Sequence, residues 1–236
     1  MKEEEVRPKA VFDEFLSLLD KDIETFFGIE IDRHEIPCVA CGCMSDTTFC
    51  EKGGFVYKIC DECMTIYASP RPAKVAFDSF YSDSPSTQFW ASTFYKATEA
   101  ARREKLWKPK ARQVADILGR KFGKTNVAVV DIGGGYGVFA EEIEKLGCHP
   151  VVVEPSDALS AVCLSKGLEV ISRFVEDITS EELHTDGPKC LVSFELLEHV
   201  YSPRIFLEKL FALMSNGDLL IFTTLSGMGL DIQVLE

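Results

Sequence analysis

Two different periodicities divide the chain. Between about residues 10 and 28, Phe12, Phe15, Leu16, Leu19, Ile23, Phe26 and Phe27 recur at helical spacing. They form one apolar stripe on an amphipathic helix, read as a packing face. From Asn126 onward, short β-rich runs alternate with helical patterns. Strands are expected at 127–132, 150–154, 169–171, 190–194 and 218–224, with helices between most of them. Such alternation predicts an α/β domain whose parallel sheet is covered on both faces. The intervening chain has two parts. A cysteine-rich segment from Cys38 to about Pro72 contains β-prone pieces at 55–59 and 65–68, and Ser69-Pro70-Arg71-Pro72 then breaks the pattern. A helical stretch follows from about 86 to 122, with a break expected near Pro109. Its aromatics, Phe89, Trp90, Phe94, Tyr95 and Trp107, read mostly as packing residues. The expected division is therefore 1–30 (N-terminal helix), 31–72 (metal ribbon), 73–125 (helical linker or cap) and 126–236 (sheet domain).

Composition narrows the function classes. The formal net charge of −13 repels phosphate backbones and disfavours nucleic acid as a partner. The densest cationic run is Lys96, Arg102, Arg103, Lys105, Lys108, Lys110 and Arg112, expected to be a solvated helix face. The first residues lack the basic start and apolar centre of a signal peptide, and no run approaches a membrane span. A cytoplasmic protein with no membrane partner is expected. Nine cysteines in a reducing compartment read as thiols and metal ligands.

Cys38-x-x-Cys41 and Cys60-x-x-Cys63 are two knuckles separated by eighteen residues. Each tight turn offers two thiolates, and two turns complete a closed tetrahedral zinc site of structural type. The segment is too small to build its own core, so metal is expected to supply much of its stability. Cys43 and Cys50 fall in the same region outside the paired spacing, and Cys148, Cys163 and Cys190 read as buried small apolar residues.

The segment Val129-Val-Asp-Ile-Gly-Gly-Gly-Tyr-Gly137 runs a β-branched strand into a glycine turn and then a helix. Glycine allows positive φ and close backbone approach, and the following helix N-terminus favours an anion. A dinucleotide fingerprint would put a glycine at 138, where this chain has Val138. The Gly133-x-Gly135-x-Gly137 spacing, two residues after Asp131, instead resembles the first motif of class I methyltransferases dependent on S-adenosylmethionine. Cys190-Leu-Val-Ser-Phe-Glu-Leu-Leu-Glu-His-Val-Tyr-Ser-Pro203 is similar to the fourth-strand segment of the ubiquinone-biosynthesis-like members. Here Ser202-Pro203 replaces their Asp-Pro, and Asn216-Gly217-Asp218 replaces their Pro-Gly-Gly. A four-cysteine ribbon followed by Tyr67-Ala-Ser-Pro-Arg-Pro72 resembles zinc-containing methyltransferases, including sugar C-methyltransferases. The resemblance runs from about Cys38 to Gln233.

The resemblance implies a Rossmann-like methyltransferase sheet behind a small zinc ribbon, with S-adenosylmethionine and structural Zn2+ as cofactors. It implies that Asp131, Gly133, Gly134, Gly135, Gly137 and Phe194 line the cofactor site. Glu154 would accept from the ribose hydroxyls, Asp177 would bind the adenine amino group, and Ile178 would line the adenine pocket. The acceptor would be a small molecule, a sugar derivative among the candidates. Acid–base candidates cluster after the fourth strand at Glu195, Glu198 and His199. His199 is preferred because its ordinary pKa lies near neutrality, although Glu198 and His199 can equally act as braces for the next helix. A ribose-methylating, metal-dependent RNA enzyme is disfavoured by the acidic charge and by the lack of a downstream histidine pair. The other class of reading is an inert ribbon and cofactor-binding scaffold. It is motivated by the family's usual final β-hairpin, for which the sequence after Thr224 provides too few residues. An exposed fifth strand and a partial chain are expected on that ground. Oligomeric state has no sequence signal.

Overall fold

The computed structural model describes residues 3–124, 126–183, 185, 187–229 and 232. The last residues assigned to the sheet domain, 230, 231 and 233–236, lie outside the described residues.

Helices α1 (Glu3–Val6) and α2 (Lys9–Phe27) open the chain. The apolar stripe of α2 packs as expected: Phe27 meets Phe55, Phe77 and Phe80 at ring distances of 4.9–5.3 Å, and Phe15 tilts onto Trp90 at 4.6 Å. One polar residue interrupts this face. Asp22 is buried, and its carboxylate accepts the Ser86 N–H at 2.7 Å, satisfying a free donor at the start of α4 (Pro85–Phe89).

Strands β2 (Thr48–Lys52), β3 (Phe55–Ile59) and β4 (Ile66–Ala68) form an antiparallel sheet beside the cysteines. Strand β2 has no apolar alternation and is exposed throughout, so its sequence carried no strand signal. The Ser-Pro-Arg-Pro segment does more than interrupt the pattern. Strand β5 (Arg71–Pro72) turns back to pair with β1 (Arg33–His34). Helix α3 (Lys74–Asp83) then leads into α4.

From Pro85 to Phe122 the chain is helical without interruption. Between α4 and α5 (Tyr95–Arg102) lies a π turn at Trp90–Phe94, and a second at Arg103–Trp107 precedes α6 (Lys108–Phe122). The expected break at Pro109 is absent. Pro109 occupies the first turn of α6, and the π turn before it relieves the clash between its ring and the preceding turn. Gly123, at φ +68°, ends α6.

The sheet domain contains β6 (Ala128–Ile132), α7 (Val138–Glu144), β7 (His149–Val153), α8 (Asp157–Ser165), β8 (Glu169–Ile171), β9 (Lys189–Phe194), α9 (Pro203–Ala212) and β10 (Leu219–Thr223). The five strands are parallel in the order β10-β9-β6-β7-β8, so direction of travel reverses between β6 and β9. Every expected strand is present within a residue or two of its expected limits. Side chains alternate between two layers. Val129, Cys190 and Val192 face α6 and α7, while Val130, Ile132 and Leu191 face α9. Cys148, Cys163 and Cys190 are buried, as their apolar reading required. The Asn-Gly-Asp turn is anchored by Asp218, whose carboxylate accepts the N–H groups of Lys189 and Ser215 and pairs with the buried Lys189 ammonium at 3.0 Å. Among the described residues, no helix is long and apolar enough to cross a membrane.

The cationic run is solvated only in part: Lys96, Lys105 and Arg112 are exposed, whereas Arg102, Arg103 and Lys110 turn inward. Arg103 is largely buried against α7, where Glu99, Glu141 and Glu142 bind it at 2.6–2.7 Å. Lys166, just after α8, joins two of these acids, Glu99 and Glu141. This network fastens the helical cap to the sheet domain, and a linear charge count could not distinguish it from solvent exposure.

Candidate functional site

The strand order reverses between β6 and β9, and open α/β sheets bind ligands at the carboxyl edge of such a point. Gly133, Gly135 and Gly137 in the β6–α7 turn all take positive φ. The turn is fixed from behind. Cys163 Sγ donates to the Gly135 carbonyl at 3.2 Å, and Lys166 Nζ donates to the Tyr136 carbonyl at 2.8 Å. Gly134 is required for a different reason: a Cβ there would lie 2.8 Å from Asp131 Oδ2 and 2.7 Å from Val152.

Two carboxylates meet this turn. Glu154, just past β7, is buried; its Oε2 accepts the Gly135 N–H at 3.0 Å and its Oε1 accepts the Ser156 N–H at 2.9 Å. Burial pushes its pKa up despite those two donors. Asp131, at the end of β6, is also buried, and its Oδ2 has no hydrogen-bond partner. Burial, reinforced by the charge of Glu154 and opposed by Lys110, pushes its pKa up to about 7.

A raised carboxyl pKa has a definite linkage sign. Between the ordinary carboxylate range and pH 7, the folded protein holds a proton that the unfolded chain has released, so stability falls as pH rises through that window. Asn mimics the protonated form. Asp131→Asn is therefore expected to gain about 2 kcal/mol relative to wild type between pH 5.5 and pH 8. Melting temperatures of both proteins at the two pH values check this; a pH-independent difference would show that Asp131 titrates normally.

The helical cap closes over the turn. The Tyr95 ring stacks on Tyr136 with centroids 5.4 Å apart, and its hydroxyl lies 3.4 Å from where a Gly135 Cβ would be. Lys110 reaches the same edge from α6. Its ammonium lies 4.5 Å from the Phe194 ring centre, 3.3 Å from Thr223 Oγ1 and 3.8 Å from Glu195 Oε1. Burial pulls its pKa down against the favourable charge of Glu195. Nothing in the sequence signalled that Tyr95 and Lys110 reach this edge, because aromatics in helices read as packing and basic runs as solvent-facing.

Phe194 is buried against Phe139 at the end of β9. Glu195 follows with φ +53°, rare for a residue with a side chain, and Thr223 donates to its carboxylate at 2.6 Å. Glu198 accepts from Thr224 Oγ1 at 2.8 Å. His199 is exposed, with no hydrogen bond or ion pair to its ring among the described residues, so Glu195 and Glu198 are the better-held acids. Asp177 is exposed at the end of a 3-10 turn after β8, whereas Ile178 is fully enclosed beneath α9 and its side chain offers no surface.

The cysteines form a separate centre. The sulfurs of Cys38, Cys41, Cys60 and Cys63 all lie within 4.8 Å of one another, with Cys38–Cys63 at 3.6 Å and Cys41–Cys60 at 3.5 Å. Cys43 and Cys50 are exposed and stand outside this cluster. The arrangement is compatible with a small zinc site.

A parallel sheet of this order, with a glycine turn and two buried acids at its reversal point, defines a Rossmann-like methyltransferase architecture. Residues 100–235, more than half of the chain, match the methyltransferase domain family, and the chain belongs to it. It is 28% identical over 113 residues to the ubiquinone biosynthesis O-methyltransferase of Colwellia psychrerythraea, covering 46% of each chain. It is 25% identical over 157 residues to that of Bradyrhizobium diazoefficiens, covering 55% of this chain and 62% of the relative. The chain thus spans about half the length of the first of these relatives. Among solved structures, the plantazolicin methyltransferase BpumL in complex with a pentazolic desmethylPZN analog and SAH shares the fold. Its TM-score is 0.51 at 16% identity, over 68% of this chain and 62% of BpumL.

Proposed function

We propose that this protein transfers a methyl group from S-adenosylmethionine to a small-molecule acceptor, with a zinc ribbon as a structural module. The observation that carries the reading is Glu154 held against the glycine turn at the sheet's reversal point. A carboxylate offers about four acceptor sites, and two backbone N–H groups leave two for a pair of ribose hydroxyls. Asp131, with a buried and unpartnered oxygen beside the turn, suits the ammonium of an amino-acid moiety. Asp177 would receive the adenine amino group, with Ile178 supporting that edge from beneath. The residues present thus fit the cofactor.

When bound, the cofactor supplies an electrophilic methyl group on a sulfonium. The chain's own residues then have little covalent work. They align the reactants, exclude water beneath Tyr95 and Phe194, and accept a proton if the acceptor must lose one. Glu195 and Glu198, which accept hydrogen bonds from Thr223 and Thr224, would take that proton, with His199 as a solvent-side alternative.

Glu154→Ala is expected to weaken S-adenosylmethionine binding by about 1–3 kcal/mol, and Glu154→Gln, which keeps one acceptor, by less. Isothermal titration measures both. Unchanged affinity in the alanine variant would remove Glu154 from the site and, with it, the basis for this reading.

A further inference from the structure

The ribbon side of the molecule touches the two loops that carry the acid–base candidates. Arg71 of β5 lays its guanidinium over the Tyr201 ring, 3.9 Å from the ring centre. Arg71 is partly buried, makes no ion pair among the described residues, and keeps its Nε buried without a hydrogen-bond partner. Burial pulls its pKa down, and Tyr201 is the group that opposes this. The Tyr201 hydroxyl donates to the Pro72 carbonyl at 3.3 Å, and the Phe77 ring of α3 lies 5.6 Å away. Arg204, in the first turn of α9, donates to the Ala40 carbonyl at 2.9 Å, inside the first cysteine knuckle. From β4, Ile66 rests against Gly227 after β10, where a Cβ would lie 3.0 Å from its side chain.

The loop after β9 needs such support. It opens at Glu195 with φ +53°, a conformation that persists only where neighbours enforce it. Two backbone hydrogen bonds brace it: Glu195 N–H donates to the Thr223 carbonyl at 3.0 Å, and His199 N–H to the Leu196 carbonyl at 2.9 Å. One end of the loop is thus tied to β10, and the other ends on Tyr201 beneath Arg71. Arg71 is itself fixed by pairing with His34 in β1, just before the cysteines. A planar guanidinium lies flat on an aromatic face, which an ammonium cannot match.

We infer that Arg71 and Tyr201 are a positioning pair through which the metal ribbon holds the β9–α9 loop, with Glu195, Glu198 and His199, in its working conformation. What that loop does rests on the proposed methyltransferase function. The mechanical link between ribbon and loop does not.

Amide hydrogen exchange, read by mass spectrometry on the full zinc-loaded chain with and without S-adenosylhomocysteine, tests the pair. Arg71→Met is expected to speed exchange across residues 195–201 tenfold or more while zinc stays at one equivalent. Tyr201→Leu should do the same, and the double variant should exchange no faster than the faster single one, because both lose one shared contact. Arg71→Lys should restore part of the protection. Tyr201→Phe, which removes only the hydroxyl, should give a smaller rise and keeps the test open if a larger change prevents folding. Lys52→Gln, at an exposed ribbon position, should have no effect. Chelating zinc from the wild type should loosen the loop as Arg71→Met does. Three results would overturn the inference: unchanged loop exchange in the Arg71 and Tyr201 variants, a loop that stays protected after zinc removal, or exchange that rises equally throughout the sheet domain. Failure of S-adenosylhomocysteine to protect the glycine turn would instead overturn the methyltransferase reading, and the unliganded measurements would still judge the pair.

Discussion

Cys60→Ser is expected to abolish stoichiometric zinc binding and to unfold the segment around residues 31–72. The wild-type chain should carry one equivalent of zinc by elemental analysis. Cys38, Cys60 and Tyr67, with Ile36 and Val39 against them, form the small apolar cluster beside the sulfurs. So small a cluster cannot offset the chain entropy of ordering some forty residues. Sulfur separations of 3.5 and 3.6 Å are close to those that four Zn–S bonds of about 2.3 Å impose on a tetrahedron. Structural zinc contributes on the order of 10–16 kcal/mol in small modules, enough to decide whether this one folds. Limited proteolysis should therefore cut Cys60→Ser within the ribbon and spare the sheet domain. A wild-type protein that is fully folded and protease-resistant without metal would refute the assignment.

Gly135→Val is expected to reduce S-adenosylmethionine affinity by at least a hundredfold. Three effects act at this position. The backbone sits at φ +55°, which a β-branched residue strongly resists. A Cβ would already touch the Tyr95 hydroxyl at 3.4 Å, and the two methyl groups of valine extend beyond it. The Gly135 N–H, which orients Glu154, would move with any backbone relaxation. Circular dichroism of the variant separates this loss from global unfolding. A folded variant with wild-type affinity by calorimetry would place the cofactor elsewhere.

Part of this site was legible in the sequence because its logic is local. The strand-to-glycine run, the acid ending the second strand and the paired cysteine knuckles are short patterns in which residue type and spacing already impose the geometry. Asp131 was legible as a position and illegible as a chemical state. Its raised pKa comes from burial, reinforced by Glu154, both supplied by the packing of β6 against its neighbours. Lys110 and Arg103 show the same limit. Residues of like charge in one run ended in opposite environments because π turns changed which face of the helix each one occupied.

Covalent preference and short-range periodicity were enough to specify five β-strands in order, a glycine turn able to adopt positive φ, and four thiolates in two pairs. Packing decided the rest: that β6 and β9 are neighbours, that the helical cap lies over the turn, that Pro109 begins a helical segment without breaking the path, and that Arg103 meets three acids while Arg102 beside it meets none among the described residues. These outcomes depend on contacts between residues far apart in the chain. Their energies arise only when the layers close and water is excluded, so no window of sequence contains them.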